Sequence, residues 1–122
     1  MAAVTPLSDQ LHLGGEAVCI LENTDSIDIS ALSGAAGSEK VKIVSMHWTT
    51  DGDPGMVVTY GDTTTNNDDT LQLYGGGTWS RFNGFDGILS DADISVTGAG
   101  TIIITVKKIE GYAHRTDYKA VE

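Results

Sequence analysis

The chain of 122 residues has one cysteine, two prolines, and seven lysines and arginines against seventeen aspartates and glutamates. A lone cysteine excludes an intramolecular disulfide and a cysteine-based zinc site. Cys19 lies inside an apolar stretch, where a small buried hydrophobe is expected. The formal net charge of −10 lacks the clustered cations that phosphates attract, so direct nucleic-acid binding is not expected. No apolar run approaches the roughly 20 residues that cross a bilayer. Residues 1–10 have neither the basic nor the apolar segment of a secretory signal. A soluble protein made in a cytoplasm, with no membrane partner, is expected. Apolar runs with a helical period are missing too.

What is present is β punctuation. Residues 16–22, 40–48, 56–60, 70–74, 92–97 and 101–109 are short apolar runs rich in β-branched side chains, each cut by Gly, Asp, Asn or Thr. Fifteen glycines and 40% hydrophobic residues argue for one folded domain, because domains peak at roughly 100 to 150 residues. The fold class expected is all-β: an antiparallel β-sandwich over residues 16–112, preceded by a polar N-terminal arm at 1–15 and followed by a tail at 113–122.

In 16–22 both faces are apolar, which predicts a strand buried between two layers. The turn at 23–25 leads to an alternating strand at 27–31. Within 40–48, Val41 and Ile43 share one face while Val44, Met46 and Trp48 share the other, a switch that predicts a β-bulge or sheet corner. Turns at 49–55 and 98–100 predict hairpins joining the strands on either side. Residues 61–69 read as an exposed polar loop. Residues 78–87 carry Trp79, Phe82 and Phe85 between glycines with neither period.

Candidate chemistry is sparse. Asp51, Asp53, Asp62, Asp68 and Asp69 have the oxygen donors of a calcium site, but their spacing fits no EF-hand loop and turns use the same residues. No metal and no cofactor are therefore expected. His12, His47 and His114 are scattered, and no nucleophile motif or phosphate-binding loop is present, so an enzyme is not expected. The acidic stretch 51–93 contrasts with Lys107, Lys108, Arg115 and Lys119, a polarity suited to docking on a neighbour. Tyr74, Trp79, Arg81, Phe82 and Phe85 are the candidate protein-interaction residues, since Trp, Tyr, Phe and Arg concentrate in interface cores. Two other readings stand beside this one: the aromatics plug one end of the sandwich, or Tyr74 and Trp79 form a sugar-stacking platform with the loop at 62–69.

The polar arm, the two early strands, the long 40–48 strand with its Asp-Gly turn, the glycine-rich middle and the closing 94–109 segment together resemble small virion structural proteins of tailed bacteriophages. Capsid decoration, or cement, proteins are the most similar. The resemblance implies a jelly-roll-like sandwich, often a homotrimer, that sits on the outer surface of the virion and staples major capsid protein subunits together. The alternatives are a carbohydrate-binding or receptor-binding module, or a neck or tail structural protein.

Overall fold

The computed structural model describes residues 2–50, 55–62, 67–81 and 87–113, with backbone alone for residues 2, 62, 67 and 68. Its strands are β1 (Ala2–Ala3), β2 (Ser8–Asp9), β3 (Glu16–Glu22), β4 (Asp25–Ile27), β5 (Ala35–Thr50), β6 (Met56–Asp62), β7 (Asn67–Leu73), β8 (Gly76–Ser80), β9 (Ile88–Ser90), β10 (Ile94–Thr97) and β11 (Gly100–Tyr112). A 3-10 turn occupies Ile29–Ala31. The strands make two sheets, ordered β1-β4-β10-β6-β7 and β2-β3-β11-β5-β8, with β9 also on β5. Every pairing is antiparallel except that of β1 with β4. The all-β sandwich is therefore as the sequence predicts.

Alternation along the strands builds the core. Ile102, Ile104 and Val106 of β11 face inward with Ala17, Cys19 and Leu21 of β3 and Val41, Ile43 and Met46 of β5. Ile27, Ile94, Val96, Met56 and Val58 meet them from the other sheet. Burial of each large aliphatic side chain contributes about 1.5–3 kcal/mol. The predicted switch in β5 is a bulge: Ser45 lies opposite Thr105 and Ile43 opposite Val106, leaving Val44 as the extra residue. Val44 is buried outside the core, on the outer face of its sheet.

Several expectations are corrected. The strand 16–22 is dry on one face only: Ala17, Cys19 and Leu21 are fully buried, whereas Ile20 is 39% exposed on the outer face. The strand expected at 27–31 ends at Ile27, because Asp28 Oδ1 accepts from the Ser30 N–H at 3.0 Å and its hydroxyl at 2.6 Å and closes a 3-10 turn. Part of the loop expected at 61–69 is strand, with Asp62 opposite Asn67 and Tyr60 opposite Asp69. The aperiodic segment at 78–87 begins in a strand, β8, paired with β5 from Ser45 to Thr49. Residues 82–86 lie outside the described residues.

The turn expected at 23–25 and the hairpins expected at 49–55 and 98–100 are crossings instead, since β3 and β4, β5 and β6, and β10 and β11 lie in different sheets. Alternation predicts strands, but it carries no information about which sheet the next strand joins. The crossings meet at one end of the sandwich. The Gly98 N–H donates to Asn23 Oδ1 at 2.9 Å and the Thr24 N–H to the Val96 carbonyl at 3.0 Å. Gly98 has φ +107, and a side chain there would overlap the Gly55 carbonyl.

The N-terminal arm spans one flank. β1 lies on β4 in one sheet and β2 on β3 in the other. Its anchor is at the end opposite the crossings. Lys108 continues the inward parity of Ile102, Ile104 and Val106 and is fully buried. Its Nζ donates to Asp9 Oδ1 at 2.5 Å, to the Ser33 carbonyl at 2.8 Å and to the Gln10 carbonyl. Asp9 Oδ2 accepts the Ser33 N–H at 2.7 Å. Each ammonium proton thus has an acceptor, the condition under which a buried charge is tolerated.

Candidate functional site

On the flank away from the arm, the edge strands β7 and β8 face each other across an apolar crevice. It is lined by Met46 and Trp48 of β5, Leu71 and Leu73 of β7, Trp79 of β8 and Ile88 of β9, and has a volume of about 140 Å³. Its shape follows from the glycines at 75–77. Trp48 stands opposite Gly77, where a side chain would overlap its indole, so the ring lies across the strand. Trp48 Nε1 then donates to the Tyr74 carbonyl at 3.2 Å, in the link between β7 and β8. Trp79 stands opposite Met46 and packs against the core. Two residues beyond Ile88, Ser90 is fully buried, and its hydroxyl accepts the Gly61 N–H at 3.2 Å and donates to the Ala92 carbonyl at 2.7 Å.

Of the predicted interaction residues, Trp79 lines this crevice, and Tyr74 follows the lining residue Leu73, its carbonyl held by Trp48 Nε1 and 65% of its surface exposed. Arg81 is elsewhere. It sits on the outer face of the β2-β3-β11-β5-β8 sheet, 3.4 Å from Glu16 Oε2, over Val18, Val44 and Thr105. Both partners are substantially exposed, so this ion pair contributes little to stability. Phe82 and Phe85 lie outside the described residues.

Because Trp79 is drawn into the sandwich, it does not share an exposed plane with Tyr74. Sequence reasoning missed Trp48, Leu71, Leu73 and Ile88 as companions of Trp79. Parity was the available signal: Leu71 and Leu73 share a face of β7, as do Met46 and Trp48 on β5.

The titratable groups do not converge. Cys19 is buried, and loss of solvation, with the charge of Asp9 second, pushes its thiol up to about 11. Such a thiol is a weak nucleophile. Burial, with the charge of Asp69 second, raises the Tyr60 phenol. Asp51 and Asp53 lie outside the described residues, and no group of three or more His, Cys, Asp or Glu side chains able to hold a metal occurs among those described. His12 Nδ1 is 2.9 Å from the Leu13 carbonyl, and His47 is exposed on the outer face opposite Ile103. His114 lies outside the described residues. Among the described residues, no helix is long and apolar enough to cross a membrane.

No family model, curated protein or solved structure matches the chain.

Proposed function

We propose that the protein is a non-enzymatic structural component of a virion that binds an assembled protein shell and reinforces it. The carrying observation is the apolar crevice lined by Trp48, Leu71, Leu73 and Trp79, opening beside the edge strand β7. The occupant that suits it is an extended segment of a coat subunit. Such a segment adds backbone hydrogen bonds to the outer edge of β7, where no described strand pairs, and places one apolar side chain in the crevice. Exposed Tyr74, next to Leu73 in the chain, provides an amphipathic anchor. The net charge of −10 favours a basic partner surface. On a symmetric shell, modest contacts repeated through a homo-oligomer, a trimer by the resemblance, gain strength by avidity.

The test is co-sedimentation with expanded empty capsids built from the coat protein encoded beside it. Saturable binding to shells and weak binding to free coat subunits is expected. Absence of binding to shells, together with retention on a glycan surface, would replace this reading with the carbohydrate-binding one.

A further inference from the structure

Asp9 and Lys108 belong to strands that do not pair; β3 lies between β2 and β11. The lysine side chain reaches the carboxylate because Gly15, whose carbonyl accepts the Lys108 N–H at 2.9 Å, and Ala17, opposite Asp9, leave the path open. The outcome is an amine and a carboxyl held in contact, with Lys108 fully buried and Asp9 17% exposed. We propose that this pair condenses to an isopeptide bond, making the N-terminal arm and β11 one covalent piece.

The chemistry is complete within the pair. A proton passes from the Lys108 ammonium to Asp9 Oδ1 across the 2.5 Å contact, giving a neutral amine and a neutral acid. Nζ attacks Cγ, and the negative charge gathering on Oδ2 is met by the Ser33 N–H already 2.7 Å away, an oxyanion-type donor set in advance. Nζ then gives up a second proton, the Cγ–Oδ1 bond breaks, and Oδ1 leaves as water. Of the three ammonium protons two depart with the oxygen and one remains on the amide, where it donates to Ser33 or Gln10 carbonyl oxygen. No oxidant and no external base enters. Fixing the reactants in contact supplies the proximity that a bimolecular amidation lacks, and the dry setting of Lys108 keeps water from reversing it.

The experiment is the intact mass of the full chain, purified, reduced and denatured. A mass lower than the sequence by one water is expected. Trypsin should fail to cut after Lys108 and release a branched peptide joining residues 1–40 to residues 108–115. Succinimide formation at Asp51-Gly52 or Asp86-Gly87 causes the same mass loss, so Lys108→Arg is measured in parallel and should return the full mass. Full sequence mass in the wild type, or a water loss that persists in Lys108→Arg without the branched peptide, would overturn the proposal.

Discussion

The Tyr112 hydroxyl donates a 2.6 Å hydrogen bond to the carbonyl of Ile29, a residue 83 positions earlier in the chain. The bond ties the end of β11 to the 3-10 turn next to β4, and thereby joins the two sheets at the end opposite the crossings. Its donor ring also lies 5.4 Å from Lys108 Nζ. Burial, with the nearby carboxylates Glu39, Asp9, Asp28 and Asp93, raises the phenol well above its ordinary value of 10.0.

A raised phenol means that the folded state holds its proton more tightly than the unfolded chain does. Stability from this source is full below pH 10.0, the ordinary value, and falls as pH rises above it. Tyr112→Phe should cost about 1–3 kcal/mol at neutral pH, because the Ile29 carbonyl loses its buried donor, and should flatten the alkaline decline. Urea titrations of both proteins between neutral and strongly alkaline pH check this. An equally steep decline in the variant would reassign the effect to other tyrosines.

Two glycines should respond very differently to alanine. Gly98 has φ +107 and faces the Gly55 carbonyl, whereas Gly75 has φ +57 with nothing within 4 Å of an added methyl. Gly75→Ala should cost about 1–2 kcal/mol from its left-handed backbone alone. Gly98→Ala adds a clash between two crossings and should exceed about 3 kcal/mol, the upper range for single substitutions. Thermal melts of the two variants should separate clearly.

Trp79 and Tyr74 divide the crevice between fold and partner. Trp79→Ala should lower the stability of the isolated domain by about 3 kcal/mol or more, since it removes a core-packed ring. Tyr74→Ala should leave stability within about 0.5 kcal/mol, as exposed positions do. The same substitution should weaken capsid binding by about 2 kcal/mol or more. Unchanged capsid affinity in the Tyr74 variant would move the contact surface away from this residue.

The bulge at Val44 permits a sharper test of register. Deleting Val44 makes the pairing of β5 with β11 regular and keeps Val41, Ile43, Met46 and Trp48 on the inner face, because Ile43, Ser45 and Met46 then alternate in, out and in. That deletion should keep cooperative unfolding, whereas deleting His47, which places Trp48 on the outer face, should abolish it. Val44→Ala keeps the bulge and should remain folded, with a cost of about 1–2 kcal/mol. Near-ultraviolet circular dichroism distinguishes the two outcomes.

Strand positions and the β5 bulge were legible because side-chain alternation leaves its mark on the sequence: Val41, Ile43, Val44 and Met46 announce a change of face by their spacing. Sheet membership left no such mark. Asn23, Asp51-Gly52 and Gly98 have turn chemistry whether the chain folds back on its own sheet or crosses to the other. The 3-10 turn was hidden because Ile27 and Ile29 mimic a strand, while Asp28 decides the outcome through a local hydrogen bond. Trp79 was legible as important, but its burial depends on Met46 across the ladder and on Leu71 and Leu73 from the other sheet. The Lys108 anchor was available in principle, since inward parity places a lysine on the dry face of β11. Its partner Asp9, in a two-residue strand, carried no signal.

β11 is the last described strand in the order of synthesis, yet it lies in the middle of its sheet, between β3 and β5. Until residues 100–112 have been made, these two strands have no partner between them and each presents an open, hydrogen-bonding edge. The nascent chain therefore cannot lock its sandwich in stages from the N-terminus. It must gather widely separated segments at once, which slows folding and lengthens the period during which edges and apolar faces are open to other chains. A chain stopped before residue 100 lacks the central strand of one sheet and leaves the edges of β3 and β5 open to aggregation. Native pairing of that sheet waits for residues 100–112.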